Sequence, residues 1–120
     1  MSTRWTFIRE IDGEFSIGKN GFFYNNVAAT GIDNTIHAIQ WNGVSGEIEK
    51  RDATTGLMTA NESITSLDSH SYVETNWNSA RASHKSDWTA QYISDQALHE
   101  VVVTQSEADA AFELAYPVPT

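Results

Sequence analysis

Four histidines, His37, His70, His84 and His99, are the first side chains to test for chemistry. Imidazole binds metals and carries protons near neutral pH. None stands one helical turn from another, the spacing that aims two imidazoles at one zinc ion. His37 falls in an apolar alternating run, where a satisfied or interfacial histidine is the simpler reading. The other three have polar or helical surroundings and read as surface residues. Gly43-Val44-Ser45-Gly46 lacks the G-x-S-x-G spacing of a nucleophile elbow and sits at a hairpin turn. Ser16-Ile17-Gly18-Lys19 matches S-x-x-K, yet strand residues three apart point to opposite faces, so Lys19 is not placed to activate Ser16. Asp33, Asp52 and Asp68 lie in loops without the alternating acidic pattern of a calcium loop. Asn61-Glu62-Ser63 fits the glycosylation sequon, which matters only on a secretory route. With no cysteine, disulfides, thiol nucleophiles and Cys-based metal sites are excluded. The residues predict no enzyme, no cofactor and no metal centre.

The clearest element is a hairpin over residues 35–49. Two alternating runs flank Asn42-Gly43, a pair that tolerates the positive φ of a tight turn. A two-residue turn sets Trp41 opposite Val44 and Ile39 opposite Gly46. A longer loop over Asn42 to Ser45 sets Trp41 opposite Gly46 and Ile39 opposite Ile48. Either register groups His37, Ile39, Trp41, Val44, Gly46 and Ile48 on one face, and leaves Ile36, Ala38, Gln40, Ser45, Glu47 and Glu49 on the other. That is the signature of an antiparallel sheet with one covered side.

Residues 4–27 read as a meander turning at Asp12-Gly13 and Asn20-Gly21. A two-residue turn at Asp12-Gly13 pairs Ile8 with Ile17, Phe7 with Gly18 and Glu10 with Phe15. Asn20-Gly21 pairs Gly18 with Phe23 and Ile17 with Tyr24. Gly18 then lies between two Phe rings, with Ile8, Ile17 and Tyr24 on the opposite face. Both faces carry large apolar groups, so the C-terminal helices, a second sheet or another chain must cover one of them.

Residues 27–34 form a connector, and 50–56 a polar loop. Met58, Ile64 and Leu67 are isolated apolar residues that tack a surface loop to the core. Ser71-x-x-Glu74 fits a capping box, with Val73, Trp77 and Ala80 following at helical spacing; this predicts a helix over 71–83. Residues 86–100 lean to helix, although 88–93 also alternate like a strand. Val101-Val102-Val103 suits a short strand or a buried linker. Thr104-Gln105-Ser106-Glu107 is a second capping box, opening a helix that stops before Pro117. The expected fold is α+β: an N-terminal antiparallel β-meander with hairpins (1–60), then a mainly helical part (68–116), as one domain over 1–120.

The length suits one modest core. A net charge of −9, with only 7 Lys and Arg, argues against binding a phosphate backbone. No segment reaches membrane-spanning length, and the N-terminus lacks an apolar signal core.

Residues 31–49, Gly-Ile-Asp-Asn-Thr-Ile-His-Ala-Ile-Gln-Trp-Asn-Gly-Val-Ser-Gly-Glu-Ile-Glu, resemble a segment of small proteins from tailed bacteriophages, notably marine and cyanobacterial ones. Asn61-Glu62-Ser63-Ile64-Thr65 resembles a phrase that follows it there, and a helical tail rich in Ala, Trp and Tyr completes the likeness. The resemblance implies a virion structural component of the tail, tail-fibre or baseplate region, made in the host cytoplasm. It would act through contacts with other virion proteins and as a homo-oligomer, with no nucleic acid or membrane partner. Trp5, Phe7, Phe23, His37 and Trp41 are the interface candidates. The alternatives are a tail-fibre assembly chaperone and a glycan-binding receptor-recognition module.

Overall fold

The computed structural model describes residues 3–119. It has an N-terminal antiparallel six-stranded sheet followed by two helices, an α+β fold. The strands are β1 (Trp5–Arg9), β2 (Phe15–Lys19), β3 (Phe22–Val27), β4 (Ile36–Trp41), β5 (Gly46–Lys50) and β6 (Glu62–Ile64). The helices are α1 (Tyr72–Leu98) and α2 (Gln105–Ala115), and a 3-10 turn at Asp68–His70 precedes α1. The strand order is β3-β2-β1-β4-β5-β6. By compactness the chain divides into a sheet unit (residues 1–78 with 119–120) and a helical unit (79–118).

The turns fix the sheet. Asn20 (φ 48°) and Gly21 (φ 87°) make the expected two-residue turn, setting Gly18 against Phe23 and Ile17 against Tyr24. The β4–β5 connection takes the longer of the two readings: Asn42 N–H donates to the Ser45 carbonyl, and Trp41 pairs with Gly46, Ile39 with Ile48. Asn42 Oδ1 accepts from the Val44 and Ser45 amides, which explains why Asn sits there.

The first turn corrects the expected register. Glu10 N–H donates to the Glu14 carbonyl, Gly13 N–H to the Glu10 carbonyl, and Asp12 Oδ1 accepts from Glu14 N–H. The loop therefore spans three residues, Ile11 to Gly13, with Gly13 at φ 85°. The extra residue slips the pairing to Phe7–Ile17, Thr6–Gly18 and Ile8–Ser16. A slip of one residue exchanges faces. Phe7 thus joins Ile17 in the core, and Gly18 keeps only the Phe23 ring beside it.

Two bulges make further exchanges. Between Phe15 and Ile17 the register shifts opposite Asn25 and Asn26, and Asn26 takes φ 57°, which Asn tolerates. Val27 is thereby brought opposite Phe15. The shift between Ile36 and Ala38 puts Ile36 into the core and leaves His37 out of it, the reverse of the alternation read from sequence.

The first sheet face carries the core: Trp5, Phe7, Phe15, Ile17, Ile36, Ile39 and Ile48, covered by Val73 and Trp77 at the start of α1. Trp77 meets Trp5, Phe22 and Tyr24 edge-on at 6.0, 6.3 and 5.5 Å, and its indole N–H donates to the Phe22 carbonyl at 3.1 Å. That bond removes the cost of burying an indole donor. Lys19 lies over the Trp5 and Trp77 rings, on the side of β2 opposite Ser16, as the strand spacing requires. Ile64, in β6, and Leu67 pack on the core as expected, whereas Met58 is half exposed and pairs with Arg51.

In the helical unit, residues 79–98 run as continuous α-helix, which settles 86–98 as helix and not strand. Trp88 stacks on Tyr92 at 5.1 Å, one turn apart. Phe112 and Ala108 of α2 are fully buried. His84, Trp88 and Tyr116 ring Phe112 at 5.0, 5.7 and 5.4 Å. Thr104 caps α2 with the expected box: its hydroxyl accepts from Glu107 N–H, and Glu107 accepts from Thr104 N–H. These bonds hold the Glu107 carboxyl below its ordinary range. Val101 and Val102 are exposed and form neither a strand nor a buried linker.

Candidate functional site: a cleft at one end of the sheet

The start of β1, the end of β4, the start of β5 and the end of β6 meet at one end of the sheet, because all four are antiparallel neighbours. There the structure has a cleft of about 470 Å³, lined among others by Arg4, Gln40, Trp41, Glu47 and Ser63. Each wall follows from the local sequence. Asn20 clamps Arg4 through both backbone groups: Arg4 N–H donates to Asn20 Oδ1 at 2.7 Å and Asn20 N–H to the Arg4 carbonyl at 2.8 Å. The Asn42–Ser45 loop fixes the ends of β4 and β5. Gly46 allows the floor to close, since a Cβ there would collide with the Gln40 carbonyl. Gln40, Glu47 and Ser63 form one cross-strand row.

The lining is chemically mixed. Trp41 is half-buried, and its indole N–H has no hydrogen-bond partner among the described residues. The exposed Arg4 guanidinium likewise makes no ion pair among them. Glu47 receives only a long 3.5 Å contact from Asn61. By strand alternation Gln40, Glu47 and Ser63 share the second face with Thr6, whereas the Trp41 side chain shares the core face with Trp5.

The five interface candidates are dispersed. Trp5 and Phe7 are core side chains, 5% and 0% exposed, and offer a partner nothing; the register slip accounts for Phe7. Phe23 is 41% exposed, with its ring over Gly18. His37 is half-buried, its Nε2 3.5 Å from Arg51 Nη2, and Trp41 lies in the cleft. Two histidines read as surface residues are instead half-buried among rings. His70 Nδ1 lies 2.8 Å from the Tyr72 hydroxyl, and His84 packs on Phe112 and Tyr116. Burial pushes the Tyr72 hydroxyl up to about 12. Among the described residues no group of three His, Asp or Glu is placed to hold a metal, and no helix is long and apolar enough to cross a membrane.

Sequence reasoning missed the cleft, because its walls come from four strands and the β1–β4 pairing has no local signal. The Trp41–Gly46 pairing of the longer hairpin loop was the one hint available.

Comparison of the chain with protein-family models, with curated proteins and with solved structures gives no match. What can be said of its class is the α+β fold itself.

Proposed function

We propose that this protein is a structural component of a tailed-phage virion, in the tail, fibre or baseplate region, and that it works by protein–protein contact. One observation carries the contact reading. On the second sheet face the register brings together Thr6, Ile8, Ser16, Gly18, Phe23 and Ala38; Ser16, Gly18 and Ala38 are buried, Thr6 and Ile8 are half-buried, and Phe23 on the edge strand β3 is 41% exposed. None is charged, in a chain with 16 Asp and Glu and 7 Lys and Arg. An exposed aromatic ring is the kind of group that anchors a protein interface. Ile8 and Phe23 stand outside the core cluster that fills the first face. The acidic remainder favours solubility of a component awaiting assembly. The virion assignment rests on the resemblance of residues 31–49 and 61–65 to small phage proteins.

Mass spectrometry of purified particles is the test. Presence at fixed stoichiometry is expected. Presence in lysates but absence from particles would instead fit an assembly chaperone, and would overturn the structural role.

A further inference from the structure

We propose that Asn42, in the β4–β5 loop, is a site of spontaneous deamidation in the folded protein, while Asn20, in the other Asn-Gly pair, is protected from it. This goes beyond the contact role, which concerns the face around Phe23. In the reaction the backbone nitrogen of the following residue attacks the asparagine Cγ. The new N–Cγ bond closes a cyclic imide, the Cγ–Nδ2 bond breaks, and the amide nitrogen leaves as ammonia with the proton of the attacking N–H. Water then opens the imide at either carbonyl, giving aspartate or isoaspartate. A glycine in second place leaves the attacking nitrogen uncrowded, and this chain has Asn-Gly twice, at 20–21 and 42–43.

The two pairs have different surroundings. As the Gly43 nitrogen attacks, Asn42 Oδ1 takes on negative charge. Two backbone donors already point at that oxygen, Val44 N–H at 2.9 Å and Ser45 N–H at 2.8 Å. Donors fixed on a developing oxyanion lower barriers of this kind. The bond to Val44, two residues on, also folds the carboxamide back over the Asn42–Gly43 peptide that must attack it. Asn42 is exposed, and its backbone N–H closes onto the Ser45 carbonyl within the same loop. A local excursion of residues 42–45 therefore reaches the reactive geometry. Asn20 is half-buried at φ 48°, and its Oδ1 accepts from one backbone donor, Arg4 N–H, 16 residues away. Its backbone N–H donates to the Arg4 carbonyl, and its Nδ2 to the Pro119 carbonyl at 3.4 Å. Freeing it means parting the start of β1 from the β2–β3 turn, a larger opening. Reaction at residue 42 has a local consequence. Aspartate adds a negative charge to the cleft lining, and isoaspartate puts an extra main-chain methylene into the loop that fixes the ends of β4 and β5.

The test is peptide mapping by mass spectrometry of the full chain, aged in mildly alkaline buffer and, in parallel, in guanidinium chloride. Aspartate and isoaspartate are resolved chromatographically at residues 20 and 42. In denaturant the loop and the clamp are both gone, and the two Asn-Gly pairs should react at comparable rates. In the folded chain Asn42 should react at least about tenfold faster than Asn20, a lower bound for one further oxyanion donor. Asn42→Gln lengthens the side chain and disfavours closure of the imide; with the fold checked by circular dichroism, it should remove the product at residue 42 and leave the rate at residue 20 unchanged. A smaller preference for residue 42 in the folded chain, the same preference in denaturant, or no product at residue 42 would overturn the proposal.

Discussion

Trp77 and Trp41 sit in one unit and both touch the same core, yet their environments diverge. Trp77 is enclosed by Trp5, Phe22 and Tyr24 and gives its indole proton to a strand carbonyl. Trp41 packs against the core by one part only, leaves its indole proton unused and opens onto a cleft. Tryptophan is large and carries a single donor, so full burial requires a correctly placed acceptor. Phe22 provides one because the Asn20-Gly21 turn sets where β3 begins. Trp41 is paired with Trp5 on one side and with Gly46, which brings no side chain, on the other. The difference separates a tryptophan that holds the fold from one left partly in water.

The contrast breaks most visibly at Trp77. Trp77→Ala should cost about 3–5 kcal/mol through lost burial and a residual cavity, read as a lower urea midpoint. Trp41→Ala should cost no more than about 2 kcal/mol, since only part of its surface is withdrawn from water. Equal losses would abolish the distinction. Between them falls Gly46→Val, whose Cβ meets the Gln40 carbonyl; a loss of about 1–3 kcal/mol is expected in the same titration. Thr104→Ala, in the helical unit, removes a cap bond and should cost about 1 kcal/mol of helix stability by circular dichroism.

The smallest effect concerns pH. Glu113 accepts from Arg81 at 2.8 Å and from Lys85 at 3.0 Å, and these bonds hold its carboxyl down at about 2 against an ordinary 4.5. A lowered folded-state value means that the pair's stabilisation is complete above pH 4.5 and is lost as pH falls through about 2. The side chain is 43% exposed, so solvent screening limits the effect to about 1 kcal/mol or less. Glu113→Gln should flatten that part of the acid-unfolding curve.

Local signals carried much of the fold. Asn20-Gly21 set its turn, the two-to-four-residue ambiguity at Asn42 contained the observed register, and Thr104…Glu107 marked the start of α2. Asp12-Gly13 misled because a three-residue loop also places Gly at positive φ, and the dipeptide does not distinguish the two. The exchange of Ile36 and His37 depended on a bulge, which follows from tertiary fit and not from alternation. β6 is only three residues long and pairs with a strand already formed, so its sequence had no period to show. The cleft was least legible, since strands distant in sequence build it.

The central claim is that the part of the second face around Phe23 is a contact surface. The most direct measurement is quantitative mass spectrometry of particles assembled with either the wild-type chain or Phe23→Asp, after circular dichroism shows that both are folded. The account predicts full incorporation of the first and at least about tenfold depletion of the second, for a central aromatic contributing about 2 kcal/mol. Equal incorporation of the two chains would contradict it.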